Sequence, residues 1–244
     1  IKEYRNGILI GTVIRDLQIV IDATVNKPPQ LNIPLQICRV VGDSIILNAS
    51  ASDPNFTDKV SIAANGAPFI VAPHPATFIA SAPANPTSGI FTWKTSCEHL
   101  TKNDYLVVFN AIDDFQSPPL TDSKTLTIRL LAPPPKNLSS ILNIATKTVQ
   151  LKWDSLYTCA NNAKFQGFSV WRKKGCNSIL DTCNADLATM GYEKIGTTKN
   201  YSFIDNTVRS GNQYSYRVVA DFGDKTNANL ILNRFSGLPS IEAC

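Results

Sequence analysis

The sequence predicts an all-β chain of tandem β-sandwiches, on three observations. Short apolar runs alternate with polar residues at a period of two: Tyr105, Val107, Phe109 and Ala111 in one stretch, Leu126, Ile128 and Leu130 against Thr125, Thr127 and Arg129 in another. Successive side chains of a strand point to opposite faces, so such runs are strands with one dry and one wet side. No segment sustains the i, i+3, i+4, i+7 spacing of an amphipathic helix. Finally, the six cysteines are widely spaced with no CxxC among them, which reads as disulfides in an oxidising compartment rather than a zinc or thioredoxin-type site.

At 244 residues the chain has room for about two domains. Its 43% hydrophobic and 17% charged content is too apolar for disorder. Residues 1–25 read as the closing strands of a sandwich that begins upstream. Asn6-Gly7 marks a tight hairpin turn, Ile8-Leu9-Ile10 and Val13-Ile14 follow it, and Leu17 to Ile21 is a further strand. The start, Ile1-Lys2-Glu3-Tyr4, is not a signal peptide, so the chain is expected to be part of a longer secreted polypeptide. Asn26-Lys27-Pro28-Pro29 then breaks the pattern, and residues 28–132 form the first complete unit. Ile45, Leu47, Ala49 and Ala51 alternate within it, and breaks such as Ala82-Pro83-Ala84-Asn85-Pro86 separate its strands. Pro133-Pro134-Pro135 reads as a linker, because consecutive prolines favour the semi-rigid polyproline II spacer. Residues 136–244 form the second unit. Val149, Leu151 and Trp153 alternate there, Phe168 and Val170 open the next strand, and Tyr214, Tyr216, Val218 and Ala220 oppose Gln213, Ser215 and Arg217. Trp93, Trp153 and Tyr214 are the expected core aromatics.

The second unit, with a Trp ending an early strand and Tyr-x-Tyr-x-Val-x-Ala on a late one, resembles a fibronectin type III domain. That likeness makes Tyr214 its corner tyrosine, with the hydroxyl bonded to nearby backbone. Longer strings narrow the resemblance: Glu3-Tyr4-Arg5-Asn6-Gly7, Ile10-Gly11-Thr12-Val13, Arg15-Asp16-Leu17-Gln18, Phe91-Thr92-Trp93-Lys94-Thr95-Ser96-Cys97 and Gly167-Phe168-Ser169-Val170-Trp171-Arg172-Lys173. Together they are similar to the repeated Ig-like and fibronectin-like regions of large surface proteins from gliding bacteria. Such proteins commonly end in a gliding-motility-associated C-terminal module and are exported by type IX secretion; that module is absent here. The resemblance implies an Ig-like or cadherin-like sandwich followed by a fibronectin type III-like one. Members of that family often carry a cysteine where this chain has Ser215.

Cys38 and Cys97 are the only cysteines of the first unit, so they are expected to pair, for about 4 kcal/mol in the chain-entropy description of loop closure. The second unit has three pairings open to it. The strand order that the fibronectin likeness implies favours Cys176–Cys244 with Cys159–Cys183. The runner-up is Cys176–Cys183 with Cys159–Cys244.

The charge balance excludes little by itself but suggests no nucleic acid: the net charge is +4 and the densest basic run, Arg172-Lys173-Lys174, is short enough to be a solvated strand end. No apolar run approaches the ~18 residues of a membrane span. The two histidines leave little for acid–base chemistry. His74 lies between prolines, His99 sits beside Cys97-Glu98, and neither belongs to a nucleophile motif, so no enzyme activity and no catalytic residues are expected. The one cofactor candidate is calcium. Ala51-Ser52-Asp53-Pro54 and Ala111-Ile112-Asp113-Asp114 resemble acidic corners of cadherin-like domains, making Asp53, Asp58, Asp113 and Asp114 candidate ligands. Thr24 and Lys27 flank Asn26 where a cadherin linker would offer acids, and turn-capping is the plainer role for the aspartates. Asn48, Asn55, Asn137 and Asn200 head N-linked sequons. Asp43-Ser44-Ile45 and Asp154-Ser155-Leu156 are similar to a short bacterial O-glycosylation signal, which makes Ser44 and Ser155 candidate acceptors. Trp171 faces opposite Phe168 and Val170 and is the candidate for sugar stacking.

The expected function is a non-catalytic extracellular segment: stalk, fibre or adhesin repeat of a bacterial surface protein. A carbohydrate-binding accessory region of a secreted hydrolase is the alternative, and a eukaryotic receptor ectodomain a weaker one. Expected partners are neighbouring repeats of the same polypeptide, with surface glycans or like subunits as further candidates.

Overall fold

Residues 2–14, 16, 24–116, 118–176, 186–225 and 231–244 are described by the computed structural model, and they contain seventeen strands, two single-turn 3₁₀ segments and no α-helix. The first hairpin pairs β1 (Lys2–Arg5) with β2 (Ile8–Thr12). Asn6 and Gly7 both take positive φ, 50° and 80°, the twist that a two-residue hairpin turn needs. Tyr4, Ile8, Leu9 and Ile10 are all exposed on this hairpin. The strand expected over Leu17 to Ile21 lies outside the described residues.

The first sandwich comprises β3 (Gln30–Asn32), β4 (Gln36–Val40), β5 (Ser44–Ser52), β6 (Val60–Gly66), β7 (Thr77–Ala80), β8 (Thr87–Lys94), β9 (Tyr105–Asp113) and β10 (Thr121–Leu131). One sheet runs β3-β5-β8-β7 and the other β4-β10-β9-β6. The chain changes sheets at Pro34. A proline offers no N–H to a ladder, so β3 leaves its sheet at Asn32 and β4 joins β10 in parallel on the other. Between the sheets lie Ile45, Ala49, Phe91, Trp93, Val107, Phe109, Leu126 and Ile128, each 2% exposed or less. These are the period-two positions. Their rings meet edge to face, Phe91 and Phe109 at 6.2 Å and Trp93 and Tyr105 at 4.9 Å between centroids.

The second sandwich comprises β11 (Ser139–Asn143), β12 (Thr148–Lys152), β13 (Phe165–Lys174), β14 (Glu193–Thr198), β15 (Ser202–Asp205), β16 (Tyr214–Lys225) and β17 (Ile231–Pro239). Sheet β11-β12-β15 faces sheet β14-β13-β16-β17, every pairing antiparallel. The second unit is thus a three-stranded sheet against a four-stranded one. The fold is therefore all-β, two sandwiches in tandem. Leu151, Trp153, Phe168, Val170, Tyr216, Val218 and Ala220 fill the interior.

Two expectations on β16 need correction. Tyr214 is only partly buried, packed against the core rather than within it, with the Arg172 guanidinium 4.8 Å above its ring; its hydroxyl does accept nearby backbone, the Arg209 N–H at 3.4 Å, as the corner position implies. Tyr216 takes the buried place instead. Ser215 and Arg217, expected to face water, are 0% and 3% exposed. Residues 186–192, the described end of the β13–β14 connection, fold back over this outer face. Leu187 and Tyr192 pack there on Val219, with Trp171 and Met190 against them, as a second small apolar cluster. Arg217 donates through Nε to the Tyr192 hydroxyl at 3.1 Å and through a terminal nitrogen to the Ser240 carbonyl at 2.7 Å. Alternation along one strand cannot reveal a lid supplied by a loop.

Candidate functional site

The most constructed place in the molecule is where the sandwiches meet. After β8, a 3₁₀ turn spans Cys97–His99 and is tied to its own start: the Ser96 N–H donates to His99 Nδ1 at 2.9 Å and the His99 N–H to the Ser96 carbonyl at 3.0 Å. With Nδ1 accepting, the ring proton sits on Nε2, which donates to the Pro73 carbonyl at 2.6 Å. His99 is 1% exposed and packs against Trp93. This clamp holds Cys97 at the pole facing the second unit. From the other side, the loop after β12 brings Cys159 up, anchored where the Tyr157 hydroxyl donates to the Pro133 carbonyl at 2.9 Å.

Cys97 and Cys159 form a disulfide across the joint, with Cα atoms 5.5 Å apart. Hydrogen bonds flank it. Asn162 Nδ2 donates to the Cys97 carbonyl at 2.7 Å, Lys164 Nζ to the Leu100 carbonyl at 3.0 Å, and the Leu238 N–H to the Ala132 carbonyl at 3.0 Å. Gly237 lies so close to the linker that a Cβ there would meet Ala132 Cβ at 2.9 Å, which is why a glycine fits. Leu100, Ala132, Leu138 and Tyr157 carry the buried apolar cluster of one sandwich into that of the other without a break. The triproline linker is thus one fastening among several.

The disulfide pattern departs from expectation in part. Cys176 bonds Cys244, the favoured pairing, with Cα atoms 6.1 Å apart, but Cys97 bonds Cys159 rather than Cys38, and so Cys159 does not bond Cys183. The expectation kept each bridge inside one unit. Cys38 lies mid-strand on β4, opposite Arg129 of β10, whereas Cys97 sits at the pole that the second unit touches. Cys183 lies outside the described residues.

Burial, the larger effect, pulls the His99 pKa below its ordinary value despite the Pro73 carbonyl that favours the charged ring. The unfolded chain then binds the proton more readily than the folded one. Stability is full above the unfolded pKa of about 6.5 and declines as pH falls through that value. The denaturant midpoint is expected to drop between about pH 7.5 and 5.5, and His99→Asn, though less stable throughout, to lack that slope over the same interval. An equal slope in both proteins would remove His99 from the account.

The other candidates are scattered. His74 is exposed in its loop, at φ 59°. Ser44 and Ser155 are exposed. Trp171, partly buried, packs in the outer cluster, with Nε1 donating to Ser169 Oγ at 3.0 Å. Asp53, Asp58 and Asp113 gather at the far ends of β5 and β9 from the joint and are buried, joined there by Asn26. Asp114 is exposed and accepts the Lys59 N–H at 2.8 Å. Among the described residues no three His, Cys, Asp or Glu side chains are set to hold a metal. None of the described helical segments is long and apolar enough to cross a membrane. The two disulfides are consistent with an extracellular location.

No family model matches the chain, and no curated protein matches it. Among solved structures, the titin domains A168–A170 match 90% of this chain and 66% of that one at 12% identity and a TM-score of 0.35. The SrpA adhesin from Streptococcus sanguinis matches 58% of this chain and 99% of that one at 13% identity and a TM-score of 0.34. The GspB Siglec domain matches 48% of this chain and 65% of that one at 14% identity and a TM-score of 0.32. This chain spans about two thirds of the length of the titin structure. At such scores these likenesses carry no argument about function.

Proposed function

We propose that this chain is a non-catalytic, stiff spacer within an extracellular surface protein, part of a stalk, fibre or adhesin. The observation that carries the reading is the Cys97–Cys159 bridge across the joint. A triproline alone leaves two sandwiches free to swing about its ends. A disulfide with flanking hydrogen bonds and a shared apolar interior removes that freedom, and such an arrangement suits transmitting force or holding a distal domain away from a surface. The likeness to the repeat regions of gliding-bacterial surface proteins supports the same reading, with type IX export as the route and neighbouring repeats as the partners. The exposed β1–β2 hairpin supports it too. A lone two-stranded ribbon is marginal in water, and one with Tyr4, Ile8, Leu9 and Ile10 uncovered fits a preceding sandwich of the same polypeptide.

Residual dipolar couplings from both sandwiches of the oxidised protein test the proposal. A single alignment tensor is expected to fit all of them. Two tensors of different magnitude mean independently tumbling units, and the spacer reading then fails.

A further inference from the structure

The pole opposite the joint holds three side-chain oxygens that are buried without a donor: Asn26 Oδ1, Asp53 Oδ2 and Asp58 Oδ2. Their residues are 6%, 4% and 9% exposed. Asn26 is fixed in orientation, because Nδ2 donates to Asp113 Oδ2 at 3.0 Å and to the Pro118 carbonyl at 3.2 Å. Its Oδ1 is therefore held within the acidic cluster rather than turned to water. Asp113 is already spent: its two oxygens accept Asn26, the Phe115 N–H at 3.1 Å and the Leu120 N–H at 3.0 Å. Asp53 and Asp58 each use only Oδ1, for the Asn55 N–H at 2.7 Å and the Thr57 hydroxyl at 3.2 Å.

Buried carboxylates need a compensating positive charge. No ion pair between described residues involves these aspartates. The lysines beside them are turned away: Lys27 and Lys59 are exposed, offering backbone N–H groups to Asn55 and Asp114. We propose that this pole binds one hard divalent cation of the calcium class through Asn26 Oδ1, Asp53 Oδ2 and Asp58 Oδ2, with water completing its shell. Calcium accepts carboxylate, amide and water oxygens in flexible geometry, whereas magnesium demands a near-ideal octahedron. The third protein donor is an amide, which is why no trio of acids marks the site. Asp113 is a positioning residue that aims Asn26. Bound there, the ion ties the segment entering the first sandwich to that sandwich's own pole. The inference does not depend on the spacer reading.

Calorimetric titration of the metal-stripped 244-residue chain tests this. One calcium per chain is expected, with Kd of about 10⁻⁴–10⁻³ M, tighter than magnesium. Saturating calcium is expected to raise the thermal midpoint by about 5–10 °C. Asp58→Asn and Asn26→Ala are expected to weaken binding about tenfold or more, and Asp114→Asn to leave it unchanged. No heat and no midpoint shift at about 10 mM calcium overturns the proposal without recourse to any variant. Loss of binding in Asp114→Asn equal to that in Asp58→Asn overturns the ligand set.

Discussion

Asp205→Ala is expected to cost the second sandwich about 3–5 kcal/mol, the range for breaking a buried ion pair from one side. Asp205 is 2% exposed at the end of β15 and serves three elements at once. Its carboxylate accepts Arg172 from β13 at 2.9 Å, the Tyr216 hydroxyl from β16 at 3.0 Å, and the Thr207 N–H and hydroxyl at 2.8 and 2.7 Å. With the carboxylate gone, the Arg172 side chain, 13% exposed, is left with the Thr207 hydroxyl at 2.8 Å, which Asp205 itself had oriented, and with Glu193, which is 68% exposed and screened by water. The Tyr216 hydroxyl is left with no acceptor in the core. Asp205→Asn keeps the shape and an acceptor for Thr207, so its cost is expected to be smaller, about half. Burial pushes the Asp205 carboxyl up, but the bonds from Thr207, Tyr216 and Arg172 outweigh it and hold the group below its ordinary value. The sign follows: the stabilisation is present above the unfolded pKa near 3.8 and is lost as pH falls through the lower folded value. Urea unfolding followed by tryptophan fluorescence measures both effects. A loss under about 1 kcal/mol for Asp205→Ala means that Arg172 finds another partner and that the three-strand link is not what holds this corner.

Local chemistry was legible and long-range placement was not. Periodicity found β5, β9, β10, β12 and β16, because a half-buried strand writes its dry face into every second residue. Asn6-Gly7 announced its turn, since few other pairs accept positive φ twice. Trp93 and Trp153 read as core and are buried. Tyr214 and Tyr216 looked alike from the sequence, because both occupy the same face of one strand. They differ only in distance from the end of the sheet, and nothing local records that. Arg217 and Ser215 looked solvated because a charged or polar residue facing outward usually is; the cover comes from Leu187 and Tyr192, some 25 residues away in the chain. The joint was least legible. Cys159, Asn162 and Lys164 sit in an irregular loop with no pattern, and their partners Cys97 and Leu100 belong to the other sandwich. Asn26 is neutral at a place where a cadherin linker offers acids, so charge alone does not single it out. Its position directly before Lys27-Pro28-Pro29, where the chain must stiffen on entering the sandwich, was the available signal.

Removing the joint disulfide with Cys97→Ser and Cys159→Ser together is expected to lower the stability of the whole chain by about 4 kcal/mol and to split one unfolding transition into two. Replacing both cysteines avoids a stray thiol that could pair elsewhere. The bridge closes 62 residues, and in the chain-entropy description a loop of that length costs the unfolded state about that much freedom. The closed loop contains β9 and β10 of the first sandwich and β11 and β12 of the second, so neither unit can open fully while the other stays tied. Chain entropy alone would not prove coupling, and the second bridge supplies the control. Cys176–Cys244 closes 68 residues, nearly the same loop, but lies wholly within the second sandwich. Both double variants should therefore lose a similar amount, while only the Cys97/Cys159 pair uncouples the units. Calorimetry with ligand-free protein reads the number of transitions directly. If both variants keep a single transition, the hydrogen bonds of Asn162, Lys164 and Leu238, with the apolar contact through Leu100 and Tyr157, suffice to couple the sandwiches. The covalent link would then act on the unfolded chain alone.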